Sequence, residues 1–247
     1  GSCHFLQACG KNILVDCGMQ QGSNPYECCE LPVDEALIDY VFLTHAHVDH
    51  SGNLPLLYAK GFRGLVFTTE ASADLCSIML RDCAHIQMQE AEWKNRKAKR
   101  NSGLSAVEPA YTMEDADGVI RRIVPCEYDK NVEISDGITI RFTDVGHLLG
   151  SASIEIWITE VDKTKKIVFS GDIGHGNKPL IRNPQYIKEA DYVPIFIDEV
   201  QHNDFITPEL LKHIRDSKFV VVDLTHQNNG AYFEEGYAMG VGKPVIQ

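Results

Sequence analysis

The sequence lacks three features that would assign it quickly to a common class. None of its apolar runs reaches the roughly 18 residues of a membrane-spanning helix, so we expect no transmembrane segment. Its eight cysteines include no Cys-x-x-Cys pair, which argues against a structural zinc knot. Basic residues are not in excess either, since 23 lysines and arginines face 35 aspartates and glutamates, a net charge of −12. This balance argues against a broad basic surface for nucleic acid, although a local groove or a bound cation could still attract phosphate.

The opening residues show no export signal. They read "GSCHFLQACGKNILVDCG", which is typical of a strand pair and has neither a basic start nor a continuous apolar core. Without such a signal, we expect a cytoplasmic protein that has no membrane partner and keeps its cysteines reduced.

Short strands dominate the first 193 residues. Runs of branched and aromatic residues predict strands at "KNILVDCG", "IDYVFLTHAH" and "GLVFTT". Apolar residues spaced three and four apart predict a helix over 70–99. An Asp-Gly turn predicts a hairpin at "EISDGITI", and "ITEVDKTKKIVF" predicts a second one. We therefore expect two packed sheets with helices outside them.

The pattern changes near residue 193. "PIFIDEV", "KFVVVDLT" and "KPVIQ" predict strands, and the helical stretches "ITPELLKHIRDS" and "AYFEEGYAMGVG" separate them. Alternating strands and helices are typical of a parallel α/β unit. We therefore predict a first domain over residues 1–193 and a second segment over 194–247.

Three histidines and an aspartate crowd the short stretch "THAHVDH", directly after an apolar run. His45 and His47 alternate in an extended segment, so both rings can point to one side. Asp49 and His50 follow where the chain turns into a helix, which lets them face a neighbouring position. Imidazole and carboxylate groups suit Zn²⁺, and also Mn²⁺ or Fe. The alternative is a histidine-rich turn that binds no metal.

A pair of catalytic metals needs further ligands, including a carboxylate that bridges both. His147 lies in "DVGHLLGSAS", directly after an alternating apolar strand. Asp172 lies in "IVFSGDIG", where glycines on both sides let the backbone approach closely. Either residue alone is more typical of a turn, but the three motifs together and in this order are specific.

"HAHVDH", "GHLLGSAS" and "FSGDIG" together resemble the metallo-β-lactamase fold and, within it, the β-CASP nucleases that process RNA. "ILVDCGMQQG" is similar to the opening motif of that fold, and "PLIRNP" is similar to the nuclease branch. The resemblance covers about residues 1–193 and implies an αββα sandwich. It also implies a hydrolase of the phosphodiesterase or ribonuclease type, whose substrate is RNA or another phosphodiester. Two divalent metals, with Zn²⁺ expected, would activate the attacking hydroxide.

The same resemblance implies the metal ligands, which are His45, His47, Asp49, His50, His147 and Asp172. The first two histidines and His147 would hold one metal. Asp49 and His50 would hold the second, and Asp172 would bridge the two. Asp49 would also act in catalysis by orienting the hydroxide, and Asp16 would position the histidine loop from behind the ligands.

The sequence departs from the β-CASP pattern in its later part. It lacks the acidic-Ser-Thr-Tyr-Gly segment, the β-CASP domain that follows it, and a late histidine that completes the metal site. The resemblance therefore predicts a truncated sandwich with no β-CASP domain to hold RNA. His175 or His226 could supply the missing ligand.

The stretch "SKFVVVDLTHQNNGAYFEEGYAMGVGKPVI" resembles nucleoside 2-deoxyribosyltransferases. This resemblance implies a partial flavodoxin-like parallel α/β segment that could bind a nucleoside. In that family a glutamate attacks the anomeric carbon, and Glu234 matches it as a catalytic residue. Asp204 and Asp223 match carboxylates of the nucleoside pocket. The alternative function is thus glycosyl transfer, but Glu234 could simply favour the positive end of its helix, and the chain could also lack activity.

Overall fold

The computed structural model describes residues 1–20, 31–100, 106–177, 179–185, 187, 214–216, 220–221, 237–243 and 245–246. The chain divides into two compact units, Gly1–Ile187 and Lys188–Gln247. The boundary that the sequence predicts near residue 193 lies outside the described residues. Among the described residues, none of the helices combines the length and the apolar character needed to cross a bilayer.

The first sheet of the N-terminal unit has five strands, hydrogen-bonded in the order β1 to β5. They are β1 (His4–Ala8), β2 (Lys11–Val15), β3 (Tyr40–Phe42), β4 (Leu65–Thr69) and β5 (Ile123–Cys126). β1 and β2 form an antiparallel hairpin, and β2 to β5 run parallel. The middle strands read as continuous apolar runs because side chains on both faces are buried.

The second sheet has four antiparallel strands in chain order. They are β6 (Val132–Ser135), β7 (Ile138–Asp144), β8 (Ala152–Glu160) and β9 (Lys163–Phe169). Ser135 pairs with Ile138 across the predicted Asp-Gly turn. At the second hairpin, Val161 and Asp162 have φ of 47° and 61°. Positive φ at both central residues is typical of the tight turn that suits the twist of antiparallel strands, so both predicted hairpins are confirmed.

The two sheets pack face to face over one apolar core. Alternate residues of β7 and β8 belong to this core, which includes Ile138 and Ile140 of β7 and Ile156 and Ile158 of β8. Ile140, Phe142 and Ile154 of the second sheet are fully buried and share a cluster with Ile13 and Phe42 of the first. Truncating a buried phenylalanine in such a core costs about 3–5 kcal/mol, so this layer is a major source of stability.

Helices cover the other face of the first sheet. They are α1 (Val48–Ser51), α2 (Leu54–Ala59), α3 (Glu70–Arg100) and α4 (Met113–Ile120). Leu54, Leu80 and Val119 of these helices pack with Val41 and Val66 of the sheet. The resulting order of helices, first sheet and second sheet confirms the predicted mixed α/β sandwich.

Few residues of the C-terminal unit are described. Two short strands, β10 (Val220–Val221) and β11 (Val245–Ile246), pair in parallel. Residues 214–216 and 237–240 are helical. These fragments agree with the strands and helices predicted for a parallel α/β segment.

Candidate metal centre

The metal-ligand candidates lie where neighbouring parallel strands end. Val15 of β2 pairs with Phe42 of β3, so the residues that follow both strands emerge side by side. Asp16 comes directly after β2, and Thr44 comes two residues after β3. The carboxyl ends of parallel strands are the usual place for ligands in such sheets. The backbone N–H of Thr44 donates to Asp16 Oδ1 at 2.8 Å, which fixes the start of the histidine loop.

Four side chains converge on one point at this edge. Nδ1 of His47 lies 3.0 Å from Nε2 of His45 and 3.2 Å from Nε2 of His147. Oδ2 of Asp172 lies 3.4 Å from Nε2 of His147 and 3.9 Å from Nε2 of His45. All four ligand atoms lie within 4.8 Å of one another. Since a tetrahedral zinc with ligands at about 2.1 Å holds them about 3.4 Å apart, this donor set fits one such cation.

A second half-site begins at the other oxygen of Asp172. Its Oδ1 lies 3.3 Å from Nε2 of His50, which in turn lies 4.0 Å from Oδ2 of Asp49. The two oxygens of one carboxylate thus face two different groups of ligands. This geometry fits a carboxylate that bridges two cations. Asp49 has a half-exposed side chain, so its group of ligands is open to solvent on that side.

Asp16 holds His50 from behind. Its Oδ2 lies 2.7 Å from Nδ1 of His50, and both side chains are buried. Because the Nδ1–H donates to the carboxylate, Nε2 is the ring nitrogen that faces Asp172 and the place of a cation. A carboxylate behind a histidine fixes its tautomer and raises its basicity as a ligand. This is the position that the sequence predicts for Asp16.

The environment sets different protonation states for the two buried histidines. Burial, followed by the charge of His50, lowers the pKa of His45 to about 3. His45 is therefore neutral at physiological pH and keeps a lone pair for a cation. Burial acts in the same direction on His50, but hydrogen bonds to Asp16 and Asp172 outweigh it and raise its pKa to about 10. A cation that binds here must displace the second proton of His50.

Asp172 is held ionised. Its hydrogen bond to His50 is the largest cause, and this bond together with the charge of His50 outweighs burial and lowers the pKa of Asp172 to about 2. Its carboxylate reaches the histidines because Gly171 has a φ of 57°, a value that favours glycine. A Cβ on Gly171 would lie 2.9 Å from Cβ of Thr44. The glycine therefore allows the close approach that the sequence predicts.

The loop that carries His147 has its own support. Oγ of Ser151 accepts the backbone N–H groups of His147 and Leu148, at 3.0 Å and 3.1 Å. Gly146 has a φ of 61°, and a Cβ on it would lie 2.3 Å from the carbonyl oxygen of Arg182. The loop is thus packed against the segment that follows Asp172, which brings the fourth ligand to the other three.

The sequence reasoning missed Thr44. Its Oγ1 donates to the carboxylate of Asp16 and lies 3.0 Å from Nδ1 of His45 and 3.4 Å from Nδ1 of His50. One hydroxyl therefore connects both buried histidines to the supporting carboxylate. Its position directly before the histidine pair was a usable signal, since a small hydroxyl at a strand end can bond to neighbouring side chains.

The other predicted site residues are not part of the described cluster. Asp204, Asp223 and Glu234 lie outside the described residues, as does His226. His175 is exposed, and the His/Asp group of the described residues does not include it. The described ligand set therefore comes from the three motifs near residues 45–50, 147 and 172.

Comparisons with known proteins follow the same segment. Residues 5–194 match the metallo-β-lactamase superfamily domain. The chain is 31% identical to Ribonuclease TTHA0252 of Thermus thermophilus over 78% of this chain and 39% of that protein. It is 27% identical to transcription termination factor FttA of Methanosarcina mazei over 99% of this chain and 36% of that protein. The chain thus spans less than half the length of these two curated relatives.

A solved metallo-β-lactamase of Cronobacter sakazakii with a HARLDQ motif is similar over 73% of this chain and 56% of that chain, with 18% identity and a TM-score of 0.41. The domain match spans the five-stranded sheet, the four-stranded sheet and all the residues that converge at their edge. The chain belongs to the metallo-β-lactamase superfamily.

Proposed function

We propose that the chain is a metal-dependent phosphodiesterase that cleaves RNA. The observation that carries this proposal is the placement of Asp172, whose two carboxylate oxygens face His147 on one side and His50 on the other. Two-cation sites of this kind suit phosphodiester cleavage, because they stabilise charge on both the attacking and the leaving oxygen. The names of two relatives, a ribonuclease and a transcription termination factor, support an RNA substrate.

Two bound divalent cations would supply an activated water nucleophile and polarise the phosphoryl group. His45, His47 and His147 would hold one of them, and Asp49 and His50 would hold the other. Asp172 would belong to both groups of ligands. The imidazole-rich donor set favours Zn²⁺ over Mg²⁺, and Mn²⁺ or Fe would also fit.

Asp49 has the position of a proton acceptor. Its side chain is half exposed and lies beside His50, so it can reach both solvent and the ligand cluster. We assign it the orientation of the water and the removal of its proton. Asp16 touches no substrate and acts by keeping the ring of His50 in place.

The cations also account for how an acidic chain could bind RNA. With a net charge of −12, the chain as a whole repels a phosphate backbone. Two divalent cations would reverse the local sign of charge at the site where the scissile phosphate must lie. We therefore infer that binding of RNA at this site depends on metal. A cytoplasmic location stays a prediction.

The decisive experiment compares the wild type with Asp172→Ala. Elemental analysis should find two divalent cations per wild-type chain and fewer in the variant. Cleavage of a labelled RNA should disappear with a chelator and return with Zn²⁺ or Mn²⁺. His85→Ala is a suitable control, because His85 is an exposed residue of α3. A wild-type chain that binds no metal, or that cleaves RNA equally well in chelator, would rule the proposal out.

Glycosyl transfer through Glu234 is not favoured as a second function. The alignment to the termination factor covers 99% of this chain, so it includes the segment that resembles deoxyribosyltransferases. Asp204 and Asp223 stay predictions as nucleoside contacts. Release of a base from a deoxynucleoside in the presence of chelator, and its loss in Glu234→Ala, would reverse this preference.

A further inference from the structure

Cys3 lies opposite Cys17 at the open end of the β1–β2 hairpin. His4 pairs with Val15 in the regular ladder. One step further, the backbone N–H of Gly18 donates to the carbonyl of Ser2 at 2.8 Å. Two residues on the second strand, Asp16 and Cys17, thus face one residue on the first. This is a β-bulge, and the φ of 60° at Asp16 is its local signature.

At the bulge, Cys3 and Cys17 face each other across the two strands without backbone hydrogen bonds between them. The N–H of Cys17 donates to the carbonyl of His50 at 2.7 Å, and its own carbonyl accepts from Asn53 at 2.9 Å. Both backbone groups of Cys17 therefore point away from Cys3. Cα atoms that face each other on adjacent antiparallel strands lie about 4.5–5.5 Å apart, and a disulfide spans about 4.4–6.8 Å, so residues in such positions can be joined. The largest influence on the pKa of each thiol is the other thiol, which lowers the pKa of Cys3 and raises that of Cys17.

The two thiols differ in access. Cys3 is exposed, whereas Cys17 is 7% exposed and belongs to the core under the helices. An oxidant in solvent therefore reaches Cys3 more readily than Cys17. A sulfenic acid formed on Cys3 would react with the neighbouring thiol of Cys17 before it reacted with another molecule from solution. An exposed thiol beside a resolving thiol is the arrangement of residues that oxidise reversibly.

We propose that Cys3 and Cys17 are a redox modification site, in which a hydroperoxide joins them in a disulfide and a dithiol separates them. The sulfur of Cys3 attacks the peroxide oxygen, the O–O bond breaks, and a sulfenic acid and water (or an alcohol) form. The sulfur of Cys17 then attacks the Cys3 sulfur, the S–O bond breaks, and the thiol proton leaves with hydroxide as water. The two thiols lose two electrons in total, and the hydroperoxide gains them. A dithiol reverses the change by thiol–disulfide exchange.

The position of this pair connects it to the metal centre. Cys17 follows Asp16 directly and donates to the backbone of His50. Asp16 in turn accepts from the ring of His50. A disulfide between Cys17 and Cys3 would link the bulge covalently to β1. The backbone next to Asp16, whose carboxylate lies behind His50, would then be fixed by this bond as well as by hydrogen bonds.

The test is peptide mapping of the full chain after brief treatment with hydrogen peroxide and alkylation of the remaining thiols. We expect a linked peptide that joins Cys3 to Cys17, a loss of two hydrogens from the intact mass, and full recovery with dithiothreitol. In Cys17→Ser, Cys3 should instead proceed to sulfinic acid, which dithiothreitol does not reduce. Cys83→Ser removes a half-buried thiol elsewhere and should still form the linked peptide.

Cys17 is a core residue, so the wild-type map decides the matter even if its variant fails to fold. Cys3→Ser changes an exposed side chain and should abolish the linked peptide while it leaves the fold intact. The proposal is overturned if wild-type Cys3 is oxidised to the sulfinic acid, or stays reduced, and no linked peptide forms. It is also overturned if Cys3 is found linked to another cysteine instead.

Discussion

Asp16 Oδ2 lies 2.7 Å from Nδ1 of His50, although the two residues are 34 positions apart in the chain. The same carboxylate accepts the backbone N–H and the hydroxyl of Thr44. The side-chain hydrogen bonds of Asp16 are thus directed at Thr44 and His50 of the histidine loop. A residue that is buried behind the cluster thus sets the orientation of two proposed ligands.

Asp16→Asn should weaken binding of the second cation, the one near His50, without unfolding the chain. The amide is isosteric and tolerates the positive φ, but it removes the negative charge that faces His50. Loss of such an outer partner lowers metal affinity by about 10–100-fold. Competition with a chelating dye measures this change. Asp39→Asn, which loses a carboxylate beside Lys11, should leave the affinity unchanged. Equal affinities in wild type and Asp16→Asn would contradict this role.

His147→Ala and His50→Ala should each lose a different cation. His147 belongs to the group around His45 and His47, whereas His50 faces Asp49 and the other oxygen of Asp172. Each variant should keep about one cation per chain and lose more affinity than the 10–100-fold typical of an outer partner. Elemental analysis and Co²⁺ spectra can separate the two cases. Loss of both cations in both variants would mean that the two half-sites cannot fill independently.

Gly146→Ala and Gly10→Ala form a matched pair. Both glycines have positive φ, 61° and 69°, so both variants should lose about 1–2 kcal/mol from backbone strain. A Cβ added at Gly146 would lie 2.3 Å from the carbonyl oxygen of Arg182, whereas a Cβ added at Gly10 would have nothing within 4 Å. Gly146→Ala should therefore also displace His147 and lower cation affinity. Urea unfolding and dye competition measure the two effects, and equal cation affinity in both variants would argue against this displacement.

Glu155 should make stability depend on pH. Burial opposes its ionisation, but hydrogen bonds from Arg141 and Lys166 outweigh this and hold its pKa below the usual value of 4.5. The folded pKa is the lower one, so the contribution is complete above 4.5 and is lost as pH falls through the folded value. Glu155→Gln should lose about 2 kcal/mol of unfolding free energy near about pH 7. The difference in unfolding free energy between this variant and the wild type should disappear in acid.

Glu127→Gln is the control for this pH dependence. Glu127 pairs with Lys130, but both side chains are more than half exposed. Its removal should cost less than about 1 kcal/mol at any pH. Urea titrations of the three proteins over a pH series give the comparison. If the difference in unfolding free energy between wild type and Glu155→Gln stays constant into acid, the proposed role of Glu155 is wrong.

The sequence was most informative where the chemistry is local. The hairpin at Ser135–Ile138 depends on two turn residues, and the periodicity of α3 depends on its own side chains. His45 and His47 could be placed on one side from their alternation alone. Their roles as ligands, like those of the other four candidates, stay proposals that the geometry supports.

The contacts behind the ligands could not be read from the sequence. The bond from Asp16 to His50 requires β2 and β3 to lie side by side, and it also requires a bulge at Asp16 itself. Neither follows from the periodicity of either strand. β5 is a similar case, because nothing in its own sequence pattern shows that it joins the first sheet in parallel with β4.

The different connections of the two sheets have a consequence for the order of folding. β6 to β9 are successive neighbours, and each of their closing loops is short. β4 and β5 pair only after the chain has crossed back from Thr69 to Ile123. Local pairings form faster than distant ones. The four-stranded sheet, whose β7–β8 loop carries His147, should therefore fold before the five-stranded sheet, whose β3 leads into the histidine loop. Pulse-labelled hydrogen exchange can test this order, in which the metal centre is among the last parts of the molecule to assemble.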